Sequence, residues 1–209
     1  MNKVLLGILG AFVLLVLVIG LAGVSTYNGL VNRSQAVDAQ WAQVQNVYQR
    51  RADLIPNLVA TVSGAANFEK STLTEITAAR ASVGKVQVSS SAAPTDPAQL
   101  AEFEKAQGQL SSALSRLLVV AENYPTLKAT AGFQTLQSQL EGAENRIAVE
   151  RGRFNDAARD YNAAIKRVPA VFFAAALGFK DKAYFAAAPG AEKPPAVQFD
   201  FSKPAAASP

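Results

Sequence analysis

The sequence predicts an all-α protein: an N-terminal transmembrane helix followed by an antiparallel up-and-down four-helix bundle whose first and last helices are long. Three observations predict it. Val4 to Val24, VLLGILGAFVLLVLVIGLAGV, is an apolar run of about 20 residues, the length a helix needs to cross the hydrocarbon core. Beyond it apolar residues recur in steps of three and four, the helical period. Strand-like alternation is limited to Val197–Phe201 near the C-terminus,.

Composition narrows the chemistry before any motif is read. Half of the 209 residues are hydrophobic, and the excess sits at the N-terminus. Cysteine and histidine are both absent. Without them there are no disulfides, thiolate nucleophiles or cysteine-linked lipid, no general base with an unperturbed pKa near neutrality, and none of the usual zinc, haem or non-haem iron ligand sets. The net charge of +4 is spread in alternation with acids, so no basic stripe forms and nucleic acid is not an expected partner. No cofactor is expected either. Gly7 and Gly10 fall in the apolar run, and Gly23 and Gly29 are not followed by the lysine-serine or lysine-threonine pair of a phosphate loop,.

Residues 1–25 are expected to be an uncleaved anchor. A signal peptide has a shorter apolar region and a small-residue cleavage site, and Ala22-Gly23-Val24 is a poor one,. Leu21-Ala22-Gly23 resembles the start of a lipoprotein box, but Val24 stands where the lipidated cysteine would be. Lys3 and the terminal amine on one flank oppose Arg33, partly offset by Asp38, on the other. This bias leaves the N-terminus in the cytoplasm and the bulk of a single-pass chain outside the inner membrane.

The bundle is expected over 26–168. Its first helix, about 26–66, carries the stripe Tyr27, Leu30, Val37, Trp41, Val44, Tyr48, Arg51, Ile55, Leu58 and Val62,. Pro56 lacks an amide hydrogen and crowds the carbonyl of Ala52, which predicts a kinked continuous helix; the alternative is a restart capped by Asp53. A second helix, about 71–83, is capped either by Asn67 with Glu69 or by Thr72 with Glu75. Val86–Thr95, small and polar, reads as a flexible connection. Asp96-Pro97, with Gln99 three beyond the cap, starts a third helix over about 97–122 with Leu100, Phe103, Leu110, Leu114, Leu117 and Ala121 inward. It ends before Tyr124-Pro125. A turn, TLKAT, leads to the last helix, about 132–167, whose stripe is Phe133, Leu136, Leu140, Ala143, Ile147, Glu150, Phe154, Ala157 and Tyr161.

Residues 169–185 form an apolar segment with basic flanks, too short to span a bilayer. In an up-down-up-down bundle it lies beside the start of the first helix, where the chain leaves the membrane. Phe172, Phe173 and Phe179, with Lys180 and Lys182, are therefore candidates for a second lipid contact; packing onto the base of the bundle is the competing reading. The tail, 186–209, is rich in proline and alanine and is expected to be disordered.

Two charges stand where hydrophobes belong, Arg51 and Glu150. Antiparallel packing of the long helices is expected to bring them together as a buried ion pair that fixes register, in preference to a polar binding site. Glu141 with Glu144, and Asp156 with Asp160, each share a helix face, but a dimetal site of the ferritin type needs histidines this chain lacks. They read as solvated faces.

Arg50-Arg51-Ala52-Asp53-Leu54-Ile55-Pro56-Asn57-Leu58-Val59 resembles the signature of the LemA family of bacterial membrane proteins. A second block agrees: Glu122-Asn123-Tyr124-Pro125, then Leu140-Glu141-Gly142 and Glu144-Asn145-Arg146-Ile147-Ala148, and later Tyr161-Asn162. The resemblance covers the anchor to about Phe185. It implies a membrane segment and a helical bundle, and singles out Arg50, Arg51, Asp53, Pro56, Glu122, Asn123 and Tyr124, without supplying an activity. The expected function is therefore a non-catalytic scaffold or adaptor of the bacterial envelope, with the lipid bilayer and protein partners or self-association as its contacts. The alternative is a carboxylate-dependent enzyme acting on envelope material, recognisable by a concave acidic cleft.

Overall fold

A computed structural model describes residues 3–64, 68–86 and 92–186. Among these, all regular structure is helical: α1 (Lys3–Ser63), α2 (Lys70–Lys85), α3 (Pro97–Ala121), a one-turn α4 (Pro125–Lys128) and α5 (Ala131–Ile165), then a 3-10 turn at Ala170–Phe172. The expected Asn67 cap, much of the Val86–Thr95 connection and the tail from residue 187 lie outside the described residues.

α1 is a single helix of 61 residues with Pro56 inside it, so the restart capped by Asp53 is not observed. Asp53 instead accepts a hydrogen bond from Gln49 one turn back, at 2.7 Å. The proline leaves the Ala52 carbonyl without its helical donor. Arg80 of α2 fills the place, its Nε donating to that carbonyl at 3.1 Å. From Leu5 to Val24 the large side chains of α1 are exposed. From Leu30 onward its stripe is buried through Val62, while Tyr27 stays partly exposed at the junction.

α5 packs along α1 in the opposite direction, and α2 packs mainly on α3. Gly132 beside Thr61 at one end and Gln40 bonded to Glu150 at 2.6 Å towards the other set the register of the long pair. Caps explain the starts. Asp96 accepts from the Ala98 amide at 2.8 Å with Pro97 in the first turn,. Thr130 accepts from Phe133 at 3.3 Å, which starts α5 one residue before the expected Gly132. The TLKAT turn is partly helical because Pro125 is pre-organised for a first helical position,.

The core is divided. One apolar cluster joins Leu30, Val37, Trp41, Val44 and Tyr48 of α1 to Phe103, Phe154, Tyr161 and Phe185. Trp41 anchors it, with ring centroids 5.6 Å from Phe103, 5.5 Å from Phe154 and 6.0 Å from Phe185,. A second cluster joins Ile55, Leu58 and Val62 to Ile76, Leu110, Leu117, Phe133 and Leu140. Along α1, Arg51 lies between the two.

The chain after α5 does not fray. Gly178 turns it at a φ of +84°, a conformation costly for any residue with a Cβ,. Residues 179–186 then run back along α5 as a strap. Asn162 grips Lys182 through both backbone groups, donating to its carbonyl and accepting from its amide at 2.8 Å each. Asn155 does the same to Phe185, at 3.0 and 2.9 Å. Seven helical residues rise about 10.5 Å, so three strap residues cover that distance only if nearly extended.

Candidate functional site

Among the described residues Arg51 is the most deeply buried charge, with 1% of its surface exposed. Its position follows from the stripe: it falls between Tyr48 and Ile55, both inward, so the guanidinium has no route to solvent except between helices. All four terminal N–H groups are taken. Nη1 donates to Ser111 Oγ at 2.7 Å and Glu144 Oε1 at 2.5 Å; Nη2 donates to the Gln107 carbonyl at 3.3 Å and to its side-chain Oε1 at 2.5 Å. The guanidinium carbon lies 5.3 Å from the Tyr48 ring centre,. Arg51 Nε and Trp41 Nε1 are buried without a hydrogen-bond partner among the described residues. A guanidinium with its terminal donors occupied ties α1, α3 and α5 together and has no free fork to offer a ligand.

The expected partner of Arg51 is corrected by this geometry. Glu150 lies six residues, about 9 Å of helix rise, beyond Glu144. It is held instead by Gln40 and by Arg153 at 2.8 Å. The antiparallel register carries Arg51 past the flank of the α5 stripe, where Glu144 stands next to buried Ala143, and not onto the stripe position that Glu150 occupies. Glu144 remains half exposed, so the ion pair joins a buried cation to an acid at the rim.

Beside this node a cleft of about 410 Å³ opens between α1, α2 and α3, lined by Gln45, Tyr48, Gln49, Arg80, Phe103 and Gln107 among others. Burial pushes the Tyr48 hydroxyl above its ordinary pKa, against the opposing pull of Arg151 and Arg51,. A second cleft, about 300 Å³, lies at the end nearest the apolar run, lined by Tyr27, Ser34, Gln35, Tyr161, Phe179 and Lys180 among others. Tyr161 is likewise raised by burial, then by Asp181 and Asp38. Neither cleft has a carboxylate in its walls.

The other singled-out residues scatter. Arg50, Asp53 and Pro56 are exposed on the outer face of α1. Glu122 pairs with Lys128 across the α3–α4 turn, Asn123 closes that turn through its amide to Val120 at 3.0 Å, and the Tyr124 ring packs 4.9 Å from Phe68. Among the carboxylates that share helix faces, Glu141 accepts from Gln137 at 3.0 Å, and Asp156 and Asp160 flank Arg159.

The candidate lipid contacts divide. Phe172 is 79% exposed and Lys180 is exposed. Phe173 packs against the core, and Phe179 meets Tyr27 edge-on at 5.7 Å. Lys182 contradicts the expectation: it is buried, with Nζ 2.9 Å from Asp38 and 3.4 Å from the Ala93 carbonyl. The Asn162 grip on its backbone turns the side chain into the bundle.

Nothing in the side-chain chemistry of Gln107, Ser111, Arg80, Asn155 or Asn162 marks them as site residues in the sequence. Gln107 had a signal, a polar residue between Phe103 and Leu110 on the α3 stripe. Asn162 had one in the Tyr161-Asn162 motif.

A family model described as the LemA family matches residues 40–199, a stretch containing the Arg51 node, Pro56 and the strap. Over 89 residues the chain is 36% identical to the magnetosome protein MamQ of Magnetospirillum gryphiswaldense and to magnetosome proteins MamQ 1 and MamQ 2 of Paramagnetospirillum magneticum. The match covers 43% of this chain and 33% of each relative. The chain thus spans about a third of the length of the curated relatives it matches.

Proposed function

We propose, from the fact that this chain belongs to the LemA family, that it is a single-pass protein of the bacterial inner membrane whose helical bundle acts by binding and not by catalysis. In this reading the bundle is a scaffold or adaptor that joins protein partners, or further copies of itself, to the lipid bilayer. The bulk of the chain lies on the extracytoplasmic side.

One observation carries the reading. α1 passes without interruption from an exposed apolar stretch into a filled bundle core, so the span and the domain are one helix, suited to holding a surface at a fixed height above the membrane. The charged groups lend support, since Arg51, Glu144, Glu150 and Lys182 are engaged in internal hydrogen bonds and ion pairs. The carboxylate-dependent alternative has less behind it, because the acids that share helix faces are held by neighbouring side chains and do not converge on a cleft.

Two measurements test the proposal. The full-length protein is expected to remain in the membrane pellet after carbonate extraction, with an intact mass that includes residues before Ser25. A mature chain beginning near Ser25 would remove the anchor. Photo-crosslinking side chains placed at exposed positions of α3 and α5, Val119 and Val149 among them, are expected to give adducts of discrete mass in cells, twice the chain mass if it self-associates. A scan of exposed positions yielding no adduct, with the protein still in the membrane, would remove the binding role.

A further inference from the structure

Beyond Val24, and apart from Val119, Val149 and Tyr184, the large exposed apolar side chains among the described residues gather at one end of the bundle. Val168, Val171, Phe172 and Leu177 are all exposed within ten residues, and partly exposed Tyr27 belongs to the same end through Phe179. The backbone presenting them is pinned. Ala170 and Ala174 are buried, and Val171, Phe173, Ala174 and Leu177 donate backbone bonds of 2.8–3.0 Å to Arg167, Ala170, Ala170 and Phe173. Phe172 is therefore held outward by a fixed turn.

Charge around this patch has one sign left over. In 25–45 and 166–186 the acids are Asp38 and Asp181, and each is paired with a lysine, Lys182 and Lys166, at 2.9 Å. Arg33, Arg167 and Lys180 are exposed, and among the described residues none of them makes an ion pair. The patch is also at the right height. Tyr27, against which Phe179 packs, stands three residues past Val24, about 4.5 Å of helix rise, and the interfacial layer outside the hydrocarbon is only several ångströms deep.

We infer that this foot, Val168 to Leu177 with Arg167 and Lys180 around it, is a second lipid contact: Phe172 and its apolar neighbours enter the interfacial layer of the leaflet that α1 leaves, and the two cations take anionic phospholipid headgroups. The inference rests on the proposed anchor for its placement. Apolar side chains beside unpaired cations suit an anionic membrane surface, whereas a protein partner would have to cover those cations with acids of its own.

The test uses full-length protein in vesicles, with a tryptophan introduced as Phe172→Trp and read as the difference from the unaltered protein, whose Trp41 is wholly buried. Lipids brominated near the headgroup end of their chains are expected to quench the new tryptophan, more strongly in vesicles containing phosphatidylglycerol than in pure phosphatidylcholine. Arg167→Gln with Lys180→Gln should abolish that difference. Leu15→Trp, quenched by deeply brominated lipid, reports the anchor separately. If Leu15→Trp is quenched and Phe172→Trp is instead quenched by aqueous acrylamide, the foot stands clear of the membrane and the inference is wrong while the anchor stands. Shielding of Phe172→Trp from both lipid and acrylamide would mean that protein covers the patch, and equal quenching in both vesicle types would remove the anionic headgroup from the proposal. If Leu15→Trp escapes quenching, the anchor fails and takes the foot with it.

Discussion

A guanidinium removed from water is costly unless its donors are satisfied, and Arg51 shows how narrowly that condition is met: its four terminal N–H groups have acceptors, and Nε has none among the described residues,. The acceptor most dependent on it is the buried Gln107 side chain, because half-exposed Glu144 can turn to solvent when the arginine is gone. Arg51→Met is therefore expected to destabilise the fold by about 3 kcal/mol. Most of that loss should be recovered in the double variant with Gln107→Leu, which removes the stranded amide. Glu144→Gln should show partial coupling to Arg51→Met, and Glu150→Leu should be additive with it. Denaturant titration of the set decides the matter, and coupling to Glu150 without coupling to Gln107 would contradict the geometry described above.

Elements are joined here by side chains that replace missing backbone bonds. Pro56 frees the Ala52 carbonyl and Arg80 answers it from another helix, so a defect in α1 becomes an attachment point for α2, which otherwise packs mainly on α3. Arg80→Met should cost about 1 kcal/mol in the natural sequence, and much less in a Pro56→Ala background, where residue 56 regains the amide that bonds the same carbonyl. Equal costs in both backgrounds would mean that Arg80 acts elsewhere. The strap is held by the same device. Asn162→Ala strands an amide and a carbonyl of Lys182, an expected loss of about 2 kcal/mol, and should speed trypsin cleavage after Lys180 and Lys182. If cleavage is unchanged, burial of Ala183 and Phe185 holds the strap without the asparagine. Helix periodicity gives no hint of such links, because a side chain bonding to backbone leaves no apolar spacing behind.

At the scale of the whole molecule, what was legible in the sequence was what repeats. The stripes from Leu30 to Val62, from Leu100 to Ala121 and from Phe133 to Ile147 are buried in the structure, because apolar burial acts at every turn and marks every turn. What was not legible depends on single alignments between distant elements. Arg51 and Glu150 both interrupt an apolar stripe in the sequence, but the pairing is set by a register offset of less than two turns that neither helix carries alone. Lys182, likewise, has a composition suited to a lipid surface and a backbone clamp that points it inward.

The unbroken α1 has a mechanical consequence. A helix of 61 residues is a lever roughly 90 Å long, pivoted, in the proposed anchoring, where its apolar third enters the lipid. Bilayers of different thickness set different tilts for such a segment, and a 10° change would carry the distant end near Ser63 sideways by roughly 10 Å. In the proposed anchoring, local bilayer thickness thus sets the lateral position of the α1–α2 end.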